Sequence, residues 1–234
     1  MWRFSFLFVY ILLCVVLRML RGAPGEAARA WGAVGGNHEP STSRFPDPIR
    51  KVAIFGHSYV RDLPLEEPLQ RPAYYVRQFC LPGGKVATIK EKPVWEKLLS
   101  YKPDLTFVIL GGNDISRSCD VHHLALALQD LVKEIEDRTG GYCYVVSIES
   151  RTHPRGMTPE DYNKCKNGVN ARLRRNFKYT AHKRYLAMGM SKSDLWDGVH
   201  LGTTACSNLL ERILDKADAY FMKLDDREAV PPSK

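Results

Sequence analysis

No two cysteines in this sequence are spaced C-x-x-C, which argues against a structural zinc site and against thioredoxin-like redox chemistry. The glycine pairs form neither a P-loop nor a dinucleotide-binding fingerprint, so those two nucleotide-binding classes have no support. The G-x-S-x-G elbow is missing as well. Val60 stands where its second glycine would be, which argues against the larger lipase fold. There is no internal repeat. Cysteine is sparse, at 6 in 234 residues. Cys14 lies in an apolar N-terminal run, and Cys80, Cys119, Cys143, Cys165 and Cys206 are widely spaced. Cys80 and Cys143 fall in strand-like runs, where a buried thiol is the usual state. Any disulfide pairing stays open.

What is present suits a folded domain. A hydrophobic share of 44% and a charged share of 26% are those of a soluble globular protein. The length allows one domain of common size with flanking segments. The formal net charge is +8, but Arg3, Arg18, Arg21 and Arg29 stand against only Glu26 in the first 30 residues. The remainder is mildly basic, which does not by itself indicate nucleic-acid binding.

One long hydrophobic run occurs, from Phe4 to Leu17. It has the length of a signal-peptide core and is short for a membrane span. Residues 1–30 are read as a signal peptide, with a retained signal anchor as the alternative, because the small residues Ala28 to Ala30 come late and Arg18 and Arg21 intervene. Either reading makes the protein secreted or membrane-anchored in the secretory pathway. The anchor would add membrane association through the N-terminus. Residues 31–47, rich in Gly, Pro and Ser, read as a flexible linker. Residues 48–226 form one domain, and 227–234 a disordered tail.

Within the domain, short apolar runs alternate with longer amphipathic ones. "KVAIFGHS", "AYYVRQFCL", "DLTFVILGGND", "YCYVVSIES" and "KRYLAMGM" read as strands. "KPVWEKLLSY", "DVHHLALALQDLVKEIEDRTGG", "TPEDYNKCKNGVNARLRRNFKYT" and "TTACSNLLERILDKADAYFMKL" read as helices. Gly140 and Gly141 close the second of these. Thr158 caps the third, with Pro159 at its first position. Strands alternating with helices predict a parallel sheet covered on both faces.

In such sheets the site lies beyond the carboxyl ends of the strands. The first strand delivers Gly56, His57 and Ser58 there, and the second Pro82, Gly83 and Gly84. The third delivers Gly111, Gly112, Asn113 and Asp114. The fifth is followed by a loop holding Asp197 and His200. A serine hydroxyl needs a base within reach and a third group to orient that base. Asp197 and His200, three residues apart on one loop, fit those roles. A tetrahedral oxyanion needs preorganised donors. The Ser58 N–H, a glycine N–H from the Gly83–Gly84 turn and the Asn113 amide would supply three.

These four blocks, in this order, resemble the SGNH (GDSL-type) hydrolase superfamily. The wording "FGHSYVRDL … CLPGGK … GGND … DGVHL" is also similar to SGNH-like domains of metazoan and retroelement-encoded proteins. The resemblance implies a three-layer α/β/α, flavodoxin-like SGNH hydrolase fold around a central five-stranded parallel sheet. It implies Ser58 as nucleophile, Asp197 and His200 as its partners, and Gly84 and Asn113 as oxyanion donors. It also implies an esterase working without metal or organic cofactor. The expected substrate is a small acyl ester, for instance an O-acetyl group on a glycan or lipid.

The sequence departs from the family at one place. The first block usually reads Gly-Asp-Ser, and here it reads Gly-His-Ser. Neighbouring side chains in extended backbone point to opposite faces, so His57 is not expected to replace His200 as base. The substitution keeps a second reading open, an SGNH-like binding module with weak or no turnover. Asp114 is expected to brace its loop. His122 and His123, adjacent on a helix, are expected on a solvated face. The same holds for Arg172, Arg174, Arg175, Lys178, Lys183 and Arg184, so nucleic acid is not the expected partner.

Overall fold

A computed structural model describes residues 49–65, 69–71, 73–178 and 184–228. The signal-peptide and linker readings, Lys183 and residues 229–234 lie outside the described residues.

The sheet is built from β1 (Arg50–Gly56), β2 (Leu69–Arg71), β3 (Tyr74–Cys80), β4 (Leu105–Ile109), β5 (Tyr142–Val146) and β6 (Tyr185–Leu186). Their order is β2-β3-β1-β4-β5-β6. All neighbouring pairs are parallel except β2 with β3. The expected five parallel strands are present in flavodoxin order, and β2 adds a short antiparallel edge. β1 runs between β3 and β4, with Val52 beside both Val76 and Leu105.

The period of two in β1 sorts its side chains into two cores. Ala53 and Phe55 face one side, with Trp95, Leu98, Leu128, Ile135, Tyr162 and Leu173. These come from α2 (Pro93–Tyr101), α3 (Val121–Thr139) and α4 (Pro159–Lys178). Val52 and Ile54 face the other, with Tyr59 and Val60 of the one-turn α1 (Ser58–Arg61) and Leu209, Ile213 and Phe221 of α5 (Thr203–Glu228). The result is three layers, α/β/α.

Local signals in the sequence set the helix ends. Asp120 caps α3 by accepting from the His122 and His123 N–H groups, and Gly140 closes it in the left-handed region at φ 74°. Thr158 Oγ1 accepts from the Asp161 N–H at 3.1 Å, as expected of an N-cap. α5 continues to Glu228, two residues into the stretch read as tail, with Arg50 pairing Asp225 at 2.5 Å. Cys143 is buried, but Cys80 is only partly covered, because it ends β3 at the sheet's rim. His122, His123, Arg174, Arg175 and Lys178 are exposed and Arg172 partly so, while Arg184 pairs Glu136 at 2.7 Å. Among the described residues, no helix is long and apolar enough to cross a membrane.

Candidate active site

The strand order reverses between β1 and β4, and that edge carries the site. β1 ends at Gly56, and the chain turns at once into α1. The His57 N–H donates to the Ile109 carbonyl at 3.2 Å, and the Leu81 N–H to the Gly56 carbonyl at 2.9 Å. These bonds tie the ends of β3, β1 and β4 together. Ser58 opens α1 and is buried to 6% exposure. As the first helical residue it has no intrahelical acceptor, and its N–H has no partner among the described residues.

His57 caps α1. Its Nδ1 accepts from the Tyr59 N–H at 3.4 Å, and its ring meets the Tyr59 ring edge-on at 4.8 Å. Burial first, then the Arg151 charge, then His200, lower its pKa to about 3, so it is neutral at pH 7. An imidazole held in this way serves the backbone, which agrees with the expectation that it does not stand in for His200.

Asp197 and His200 form the expected pair. The His200 Nδ1–H donates to Asp197 Oδ2 at 2.7 Å. The second carboxylate oxygen accepts from the backbone N–H groups of Val199 at 2.8 Å and His200 at 2.6 Å. Desolvation, the largest single influence, works to raise the Asp197 carboxyl. The His200 backbone and ring and the Val199 N–H together outweigh it and hold the carboxyl at about 2. With the proton on Nδ1, the Nε2 lone pair of His200 is left to accept a proton.

The loop carrying this pair is a small hairpin. Leu195 bridges Leu201, and the Trp196 N–H donates to the His200 carbonyl at 3.0 Å. Contacts from two segments hold it over the sheet edge. The Thr152 N–H donates to the Gly198 carbonyl at 2.8 Å, and the Tyr59 hydroxyl to the Val199 carbonyl at 2.6 Å. Tyr59 follows Ser58 and Val199 precedes His200, so one hydrogen bond joins the two halves of the site. The Ser58 hydroxyl itself makes no hydrogen bond among the described residues. Catalytic hydrogen bonds commonly tighten only when substrate is bound.

The glycine turn differs from expectation. Gly83 lies at φ +72°, and the Gly84 N–H donates back to the Leu81 carbonyl at 2.8 Å, closing a β-turn. Gly84 therefore does not offer the free donor assigned to it. It presents its carbonyl, which accepts from Asn113 Nδ2 at 3.1 Å. One amide proton of Asn113 is used there and one is left over. Asp114 braces the same turn, as expected, by accepting from the Val86 N–H at 3.0 Å.

Three residues of the site are absent from the sequence reading: Arg151, Tyr59 and Trp196. Arg151 Nη2 donates to Asn113 Oδ1 at 2.8 Å. The strand-end rule could have found it, since "SIESR" follows β5 at the same edge as the other blocks. Tyr59 reads as one more apolar residue of α1. Trp196 is 72% exposed, the most exposed large apolar side chain described, and its ring lies 6.3 Å from that of His200.

Several solved structures share this architecture. The carbohydrate acetylesterase Est24 from Sinorhizobium meliloti matches with a TM-score of 0.57 at 20% identity, over 73% of this chain and 99% of its own. The aryl esterase of M. smegmatis matches at 0.55 and 18%, over 73% and 99%. A family 3 carbohydrate esterase from Talaromyces cellulolyticus matches at 0.53 and 13%, over 74% and 99%. The chain shares the three-layer α/β/α fold of these esterases. No family model matches the sequence, and no curated protein does. The likeness is one of architecture, and it spans almost the whole of each neighbour's chain.

Proposed function

We propose that this chain is a serine esterase of the SGNH type that cleaves small acyl esters through an acyl-enzyme. The observation carrying this reading is the Asp197–His200 pair, oriented by the 2.7 Å bond and anchored beside Ser58 through Tyr59. Ser58 Oγ attacks the ester carbonyl while His200 Nε2 takes its proton, and Asp197 stabilises the imidazolium. The Ser58 N–H and the remaining Asn113 Nδ2–H receive the oxyanion. His200 returns the proton to the leaving alcohol, and water then releases the acyl group by the same steps. The reaction balances without a metal or organic cofactor.

The substrate class proposed is an acetyl or similarly small ester on a glycan or lipid. Two of the neighbours are named as carbohydrate esterases, and the exposed Trp196 ring beside His200 offers a face on which a sugar could stack. A signal peptide or anchor at residues 1–30 would deliver the enzyme to such substrates in the secretory pathway. The lack of a Ser58–His200 hydrogen bond in this structure favours one competing reading, a module that binds esters without turning them over.

Hydrolysis of p-nitrophenyl acetate separates the two. Turnover that falls about 10⁴-fold or more in Ser58→Ala supports the esterase. Folded wild type without turnover, or turnover unchanged in Ser58→Ala, supports the binding module or an adventitious activity.

A further inference from the structure

Arg151 is a buried cation with no hydrogen-bonded carboxylate among the described residues. It is 9% exposed, and no ion pair joins it among the described residues. Its Nε is buried without a hydrogen-bond partner, and the residue lines a water-sized cavity with His57, Tyr59, Gly112, Glu149 and Tyr162. Such a group is costly to bury, and its retention needs a reason.

Besides Tyr59, its contacts lead to the candidate oxyanion site. Nη2 donates to Asn113 Oδ1 at 2.8 Å, and the guanidinium lies over the Tyr162 ring at 5.3 Å. The Tyr162 hydroxyl in turn donates to the Gly112 carbonyl at 3.3 Å, next to Asn113. The space above Gly112 is closed by the same groups. A Cβ there would meet Arg151 Nη2 at 3.1 Å, the Tyr162 hydroxyl at 3.3 Å and His57 Nε2 at 3.5 Å. Glycine at 112 is therefore what lets guanidinium, phenol and imidazole converge.

The orientation of Asn113 follows. Its oxygen must face a donor and its nitrogen an acceptor, and Arg151 on one side and the Gly84 carbonyl on the other permit only one placement. That placement leaves the second Nδ2–H clear of both partners. A charge-assisted bond to the amide oxygen also polarises the amide and strengthens its N–H as a donor. Charge balance points the same way. The family pattern has a carboxylate where this chain has His57, and a neutral imidazole does not compete with Asn113 for the guanidinium.

We infer that Arg151 is a positioning residue for Asn113: it fixes the amide with its N–H toward the oxyanion, and its charge acts through the amide it polarises. The inference rests on the esterase reading for the identity of the oxyanion, but the Arg151–Asn113 coupling can be read without turnover.

The test is a double-mutant cycle on p-nitrophenyl acetate hydrolysis with Arg151→Gln, Arg151→Lys, Asn113→Ala and the Asn113→Ala/Arg151→Gln double variant. Removing one oxyanion donor costs about 10²–10³ in kcat, so loss of its positioner should lower kcat about 10–100-fold with KM changed by less than about threefold. Arg151→Lys should recover part of that loss. In the Asn113→Ala background, Arg151→Gln should cost no more than about threefold. Equal losses in both backgrounds, or a change in KM alone, would overturn the inference. The Asn113 side-chain amide signals in ¹⁵N spectra give a reading independent of activity. They should sit apart from the bulk Asn and Gln signals in wild type and move toward them in Arg151→Gln and, less far, in Arg151→Lys. Unmoved signals would overturn the inference even where the enzyme is active, whereas moved signals in an inactive wild type would uphold it and count against the esterase reading instead.

Discussion

The Tyr59 hydroxyl donates to the Val199 carbonyl at 2.6 Å, and this single bond couples α1 to the histidine loop. Tyr59 is 4% exposed, so the bond lies in a region where a lost partner is not replaced by bulk water. Ser58 and His200 come from opposite ends of the domain, and each sits next in sequence to one end of this bond.

Tyr59→Phe keeps the ring and removes the bond. The lost bond should cost about 1–2 kcal/mol of stability. In a domain of this size that lowers Tm by roughly 3–6 °C. The histidine loop should lose registry with Ser58, and kcat should fall about tenfold with KM little changed. Thermal melts and acetate-ester kinetics check both numbers. A stability loss with unchanged kcat would mean that the bond serves the fold alone.

Acid should destabilise the fold through His57. Its pKa is 6.5 in the unfolded reference and about 3 in the folded protein, so the unfolded chain binds the proton more readily between those values. The stability it lends is complete above pH 6.5 and is lost progressively as pH falls toward 3. Each pH unit in that window removes up to about 1.4 kcal/mol. His57→Asn keeps a capping acceptor but does not titrate. Urea unfolding at pH 7.5 and 4.5 should therefore show a drop about 2–3 kcal/mol smaller in the variant than in wild type. Equal drops would place the acid-sensitive group elsewhere.

Trp196 should act on the leaving group and leave the chemistry alone. Trp196→Ala removes an exposed ring, so Tm should stay within about 2 °C of wild type. KM for an acetylated oligosaccharide should rise about fivefold, in line with the loss of about 1 kcal/mol of ring contact, with kcat little changed. A variant with wild-type KM for such substrates would remove the sugar platform from the account.

The sequence made the fold and half of the site legible for identifiable reasons. The strands of the parallel sheet are continuous apolar runs, and the cap at Asp120 and the stop at Gly140 are local chemistry that needs no tertiary context. The Asp197–His200 pair was legible because three residues on one loop suffice to bring them together. Gly84 was misassigned because the fate of a backbone N–H depends on the turn it closes, and Pro82-Gly83 permits that turn without announcing it. Arg151 and Tyr59 escaped notice because their partners, Asn113 and Val199, lie 38 and 140 residues away. β2 was missed because three residues give no period.

The central claim is that Ser58 is a nucleophile activated by His200. It is tested most directly by incubating the folded protein with a fluorophosphonate and measuring intact mass, followed by peptide mapping. The account predicts one phosphonyl adduct per chain, located on Ser58, absent in Ser58→Ala and slowed at least about 10³-fold in His200→Ala. Folded wild type that gains no adduct, or an adduct on a residue other than Ser58, would contradict it.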